Sequence, residues 1–365
     1  MSAARDHLAA IAAEPRSAGG EAERAAREYC AGVLRTAGLE VSEHPFEYST
    51  FPGRWGTPIA GACAAFLFLT SGHFGAHGHA RTALAVLVGG AAILGVSSWW
   101  LARWGVLDLP IARAASTNLV ATRGTPSLWL VAHLDSKSQP IPIGVRASAI
   151  IASIVFWIAA TALAMAQLMG ATTTSFWLPM TALGVLAALP VVASVVGARS
   201  PGALDDASGV ATVLRAVELI PSRLAIGVLL TSAEELGLAG ARAWARESPP
   251  HYAYNVDGVD DSGEVRLIYS RRRPVMLLMG LPFADLWPKP ERLPPGLLLD
   301  GVALADAGWS VLTVSKGSWS TVTRIHTRGD DLSRLDGSGI EEVAAMLSRV
   351  IIVWSGNIGA AIERS

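Results

Sequence analysis

The chain has 365 residues, with 29 Lys and Arg against 30 Asp and Glu, for a formal net charge of -1. That balance excludes nucleic acid as an expected partner, because a polyanion calls for a basic surplus. Only two cysteines occur, Cys30 and Cys63, which excludes a disulfide scaffold and a cysteine-rich zinc module. Charged residues make up 16% of the chain, hydrophobic residues 51%, and mean hydropathy is +0.40. A chain this apolar is neither disordered nor wholly water-facing.

In chain order, residues 4–14 and 20–38 show apolar spacing near 3.6 and predict two helices, the second stopped by Gly38. Three blocks without Asp, Glu, Lys or Arg follow: Trp55 to Ala80, Thr82 to Ala102, and the 52 residues from Ala147 to Ala198. Crossing a hydrocarbon layer takes ~20 apolar residues. The first block fits one crossing, about Thr57 to Phe74, and the second fits another. The third fits two, broken at Gly170 to Thr174. Four transmembrane helices in two hairpins are therefore expected. Buried core helices of a soluble protein are the alternative, but these usually keep a polar stripe and run shorter. Trp55, Trp99, Trp100, Trp104 and Trp177 sit near the predicted ends, where indoles prefer the membrane interface. Gly61, Gly89, Gly90 and Gly184 would allow close helix contact.

This division places globular parts at 1–54, 104–145 and 199–365, with hairpins at 55–103 and 146–198. The cations Arg54, Arg103, Arg113, Lys137, Arg146 and Arg199 flank the hairpins on the globular side, and Arg81 alone lies in the opposite loops. The positive-inside rule then predicts a multi-pass inner-membrane protein with its globular part in the cytoplasm. Residues 1–15 lack the basic and apolar regions of a signal peptide, which agrees.

The globular sequence alternates strand and helix patterns. Leu128 to Ala132 and Ala225 to Leu230 are continuous apolar runs, as in strands buried on both faces; Tyr254 to Val256 and Val311 to Val314 are further candidates. Helices are expected at Ala207 to Leu219, Ala239 to Arg246 and Ile340 to Val353, and the apolar run Val350 to Trp354, too short to span a membrane, reads as a packed amphipathic helix. The pattern predicts an α/β sandwich with a mixed, largely parallel central sheet, and in such sheets ligands bind beyond the carboxyl ends of strands. His133, Asp205, Glu235, Asp257 and His326 stand at those ends. Imidazole and carboxylate suit zinc, and a mixed set with one shared carboxylate suits two metals. Three carboxylates and one hydroxide would balance the +4 of two Zn²⁺ ions. Each acid also has a structural reading: Asp206 is a good helix N-cap, and Glu234 and Glu235 could simply complement a helix N-terminus.

The segments Pro15 to Gly20, Asn118 to Val120, Ala132 to Ser136, Gly202 to Gly209, Ala233 to Leu238, Asn255 to Asp257, Asp300, and Ile325 to Thr327 with Asp330 and Asp331 occur in this order. In that set the chain resembles the co-catalytic di-zinc aminopeptidases of metallopeptidase family 28, the bacterial leucyl-aminopeptidase type. The resemblance implies a phosphorylase/hydrolase-like zinc-exopeptidase fold and two zinc ions. One zinc would take His133 and Asp257, the other Glu235 and His326, with Asp205 bridging them. Asp135 would orient His133. Glu234 would be the general base toward a hydroxide shared by the metals, with peptides trimmed from the N-terminus. His133 and Asp205 are 72 residues apart, and removing residues 146–198 leaves 19, as if the hairpin were inserted into a loop. Leu204, Asp206 and Ala233 depart from residues common in the family, yet none removes a ligand.

Peptides and membrane lipid are thus the expected partners; no residue pattern speaks to oligomeric state. Two other functions compete: a glutaminyl-cyclase-like zinc acyltransferase, which needs one metal, and a non-catalytic membrane receptor or scaffold. His73, His77 and His79 in the first short loop, and Arg271 to Arg273, read as interfacial and solvated polarity. The proline-rich stretch Pro282 to Gly296 reads as a loop framing the site.

Overall fold

The structure, a computed structural model, describes residues 2–279, 287–294 and 296–362. The elements in chain order begin with α1 (Ala3–Ile11), α2 (Glu21–Thr36), β1 (Glu40–Ser49), α3 (Phe51–Ala76), α4 (Ala80–Trp100) and a single turn, α5 (Val106–Asp108). They continue with β2 (Arg113–Arg123), β3 (Leu128–His133), α6 (Ile143–Leu168), α7 (Trp177–Val192), α8 (Ser208–Leu219), β4 (Ile226–Thr231), α9 (Ala239–Glu247), β5 (Tyr252–Val259) and β6 (Glu264–Tyr269). The chain closes with α10 (Val275–Met279), β7 (Glu291–Arg292), α11 (Asp300–Asp306), β8 (Ser310–Gly317), α12 (Trp319–Arg324) and α13 (Ser338–Ile362). Two compact units result: Met1–Tyr48 with Arg113–Ser138 and Ala198–Ser365, and Ser49–Ala112 with Gln139–Gly197.

The first unit is built on an eight-stranded sheet of order β1-β2-β4-β3-β5-β8-β6-β7. The central strands β4, β3, β5 and β8 are parallel, while β2 joins β4 and β6 joins β8 antiparallel. Side chains of a strand alternate between faces. Accordingly Leu128, Leu130 and Ala132 pack with Leu8, Leu34, Val210, Leu214, Val343 and Leu347 of α1, α2, α8 and α13. Trp129 and Val131 face the other way, onto Leu238 and Ala241 and onto Ala303 and Leu304 of α11. Helices on both faces explain why β3 and β4 are buried at every residue. Val350, Ile351 and Trp354 are packed in the first layer. Of the proline-rich stretch, residues 282–286 and 295 lie outside the described residues, and Glu291–Arg292 within it form the short strand β7.

The second unit holds α3, α4, α6 and α7. Four helical stretches, Phe51–Ala76, Ala80–Asp108, Ile143–Leu168 and Thr174–Val192, are long and apolar enough to cross a membrane. Phe68, Ala83, Leu87, Ala160, Ala164 and Trp177 form their shared core. Their outer faces are apolar too: Ile93 is 69% exposed, Ile158 64% and Leu178 78%. A soluble protein's core helix would turn such residues inward. Polar groups turn inward instead. The Trp177 indole N–H donates to Oε1 of Gln167 at 3.0 Å, and Nε2 of Gln167 donates to the Gly75 carbonyl at 3.0 Å.

Close approach of α3 and α7 depends on glycine at the contact. A Cβ at Gly184 would stand 2.6 Å from the Phe68 ring, and one at Gly61 would stand 2.7 Å from the Val192 nitrogen. Overfilling such a contact costs about 1–3 kcal/mol. Gly184→Leu is therefore expected to lower the thermal unfolding midpoint of the detergent-solubilised protein by several degrees; an unchanged midpoint would argue against this packing.

Candidate metal centre

Two strand ends set the geometry. In the β3–β4 ladder His133 pairs with Thr231, so the loops that follow leave the sheet side by side. The Leu134 N–H donates to the Thr231 carbonyl at 2.8 Å. The Asp135 carboxylate accepts the Glu234 N–H on Oδ1 at 3.0 Å and the Glu235 N–H on Oδ2 at 3.2 Å. The loop after β3 therefore holds the loop after β4 by its backbone.

Asp205 comes from the segment before α8, joined to Asp206 by a cis peptide. Asp206 is fully buried. Its Oδ2 accepts the His133 N–H at 3.2 Å, and its Oδ1 accepts the N–H groups of Gly209 and Gly258, each at 3.0 Å. Asp206 thus binds the first turn of α8 through Gly209, although the N-cap position itself falls one residue later on Ala207, and the same carboxylate ties β3 and β5 to the segment. Asp330 grips the other side, accepting the N–H of Leu204 at 2.6 Å and of Asp205 at 3.2 Å. Its neighbour Asp331 faces outward and caps a turn through the Ser333 N–H. Arg16, 0% exposed, donates to the carbonyls of Leu134, Ile11, Pro201 and Gly202 at 2.6–3.2 Å, which fastens the first ligand loop to the second. Gly202 has φ +60, and a Cβ there would meet the Asp205 carbonyl at 2.4 Å, so the position requires glycine.

His326 does not follow a strand directly. β8 ends at Gly317, and the short helix α12, opened by a Ser318–Thr321 capping box, intervenes. Asp260 accepts from Thr321 at 2.6 Å and pairs with Arg324, anchoring that helix.

The structure brings the five expected ligands and Glu234 together. His133, Glu234 and Asp257 form one group and Asp205, Glu235 and His326 another, with ligand atoms in each group within 4.8 Å of one another. Asp205 joins the groups. Its Oδ1 lies 3.1 Å from His133 Nε2, and its Oδ2 lies 2.9 Å from His326 Nε2. His133 Nδ1 is 3.0 Å from the Asp135 carbonyl and 3.6 Å from the Asp135 carboxylate. A carbonyl can only accept, so Nδ1 carries a proton, and Nε2 is the nitrogen turned toward the cluster. The orienting contact is thus made mainly by the backbone of Asp135, while its side chain holds Glu234 and Glu235.

The donor set fits a metal pair. Glu235 Oε1 is buried without a hydrogen-bond donor, and it faces His326 Nε2 at 3.2 Å. Four carboxylates and two imidazoles converge, the oxygen and nitrogen donors that suit zinc.

Protonation separates the acids. Burial, reinforced by the charges of Glu235, Asp300 and Asp257, pushes Glu234 well above the usual carboxylate range. Burial likewise raises Asp257 to about 7 and Asp300 to about 6. Burial opposes ionisation of Glu235 as well, but the charges of Lys137 and His326 overcome it and bring that group to about 2. Asp205 also ends well below its ordinary value, because hydrogen bonds from His133 and His326 outweigh its burial. Asp205 and Glu235 are thus ionised, while Glu234 and Asp257 have affinity for a proton.

Lys137 was read from sequence only as a flanking cation, but its ammonium pairs with Oε2 of Glu235 inside the cluster. Its place two residues after Asp135 was the available signal.

Behind the cluster, Glu23 is fully buried and accepts the Gly19 N–H at 2.6 Å and the Ser232 hydroxyl. Burial, with the charge of Asp135 adding to it, raises it from 4.5 to about 8. Below pH 4.5 the group is neutral in both folded and unfolded chains. Between 4.5 and about 8 the unfolded chain ionises it and the folded chain does not, so stability falls as pH rises. The slope approaches ~1.4 kcal/mol per pH unit. Glu23→Gln is expected to flatten this decline in thermal unfolding measured from pH 5 to 9; parallel curves for variant and parent would contradict it.

Residues 186–281 match the model for Peptidase family M28. That stretch carries Asp205, Glu234, Glu235 and Asp257, so the resemblance to the di-zinc enzymes of this family rests on four cluster residues and on the fold. No curated protein matches the chain in sequence. Among solved structures, an aminopeptidase from Aneurinibacillus sp. strain AM-1 is 14% identical, with a TM-score of 0.53, covering 96% of this chain and 92% of that one. A zinc aminopeptidase from Bacillus subtilis is 13% identical, with a TM-score of 0.54 and coverage of 95% and 93%. The glutaminyl cyclase of Porphyromonas gingivalis is 14% identical, with a TM-score of 0.53 and coverage of 96% and 98%. The first unit has the aminopeptidase-like fold, a mixed and mostly parallel sheet between helical layers.

Proposed function

We propose that the chain is a membrane-anchored, zinc-dependent aminopeptidase that removes N-terminal residues from peptides. The observation that carries this reading is Asp205, whose two oxygens each face a different imidazole nitrogen, at 3.1 and 2.9 Å, as a shared ligand must. His133 and Asp257 would hold one zinc and Glu235 and His326 the other, with Asp205 common to both. When bound, such a pair supplies Lewis acidity toward a peptide carbonyl and lowers the pKa of water.

The chain's own groups do the rest. Glu234 is held by its backbone N–H on Asp135, which anchors its main chain beside the cluster. Its raised proton affinity suits a general base that takes a proton from the attacking water and delivers it to the leaving amine. Burial of the cluster strengthens each of these interactions by excluding solvent.

The four long apolar helices with apolar outer faces support an anchor in the membrane. The concentration of Lys and Arg on the globular side of the hairpins supports a cytoplasmic peptidase unit.

The glutaminyl cyclase among the similar structures supports one competing reading, because Asp205, Glu235 and His326 alone would serve a single metal. One assay separates the two. Full-length protein in detergent is given aminoacyl, dipeptide and N-terminal glutaminyl substrates, with and without chelator. Release of free amino acids that the chelator abolishes supports the aminopeptidase. Ammonia release confined to glutaminyl substrates supports the cyclase and rejects the aminopeptidase.

A further inference from the structure

Lys137 takes no part in the hydrolysis proposed above, yet its side chain is only 17% exposed and its ammonium contacts Oε2 of Glu235. The remaining oxygen, Oε1, lies 3.2 Å from His326 Nε2 and has no hydrogen-bond donor. The two oxygens of Glu235 are thus divided between Lys137 and the position that Glu235 shares with Asp205 and His326. A carboxylate already paired with an ammonium gives less of its charge to a second cation. A divalent ion entering that position also meets the ammonium as a like charge in a buried setting, where repulsion is poorly screened. The group of His133, Glu234 and Asp257 has no such contact with Lys137 among the described residues.

We propose that Lys137 is a built-in competitor for the metal position formed by Asp205, Glu235 and His326, which makes that position the weaker and more exchangeable of the two. Resting on the two-metal reading, this turns the site into one whose full occupancy follows the zinc supply. Lys137 then acts as a positioning residue through Glu235 and touches no substrate.

The test is a zinc titration of the full-length protein in detergent against a competing chromophoric chelator. Four chains are compared: the parent, Lys137→Met, which keeps length and loses charge, Lys137→Arg, which keeps charge, and His326→Ala, which removes a side chain of the weaker position. Two affinity classes are expected in the parent, with the weaker class absent in His326→Ala. Lys137→Met should tighten the weaker class by roughly tenfold or more, and Lys137→Arg should leave it near the parent value. Should Lys137→Met fail to fold, Lys137→Gln serves the same comparison. Two zinc ions bound by the charge-free variant with unchanged affinity would overturn the role of Lys137 alone. Absence of zinc binding in every chain would overturn the two-metal reading and this proposal with it.

Discussion

Glu234→Gln is expected to abolish most turnover, by about 10²–10⁴-fold, while leaving zinc content and thermal stability close to the parent. The expectation follows from the division of labour between neighbouring side chains. Glu235 is ionised and turned to His326 and Lys137, whereas Glu234 lies in the His133 group with a proton affinity raised by burial. Glutamine keeps the shape and the backbone N–H that donates to Asp135, so the loop is not disturbed. What it loses is the capacity to take and return a proton. Steady-state kinetics with zinc counted on the same sample checks this. A variant that retains both metals and near-parent turnover would show that another group moves the proton; one that loses metal would place Glu234 among the ligands.

Asp205→Asn should have the broadest effect of any single substitution in the cluster. Both oxygens of Asp205 are committed, one toward each imidazole, and they are the shared element of the two groups. An amide supplies one neutral oxygen in place of two charged ones, so both positions weaken together. Loss of a partner standing behind a ligand already costs ~10–100-fold in metal affinity, and loss of a shared ligand should exceed that. The backbone of Asp205 remains held by Asp330, so the fold should survive. Metal analysis after gel filtration should find less than one zinc per chain, with unfolding still cooperative. Full zinc content in this variant would mean that Asp205 does not join the two positions.

The fold was legible in sequence where burial is two-sided. Leu128 to Ala132 reads as a strand because every residue of β3 is buried. The edge strand β1 escaped notice, since Glu40, Glu43 and Glu47 are all exposed and burial along it does not alternate regularly. β2 was hidden for the opposite reason. Its buried Asn118 accepts the Ser232 N–H and donates to the Gly240 carbonyl, so a residue type that usually marks turns sits inside a sheet. Four of the ligands were legible because they stand at or just beyond strand ends or before a helix, where α/β sheets gather their sites, whereas His326 follows the short helix α12. Arg16, Asp330 and Lys137 act through contacts with residues 100 or so positions away, and no local pattern announces such partners.

Counting bound metal on purified full-length protein, by elemental analysis after removal of free ions, bears most directly on the shared carboxylate. Two zinc ions per chain are expected. One ion per chain would contradict the paired centre and favour cyclase-type chemistry, and none would contradict a metal centre altogether.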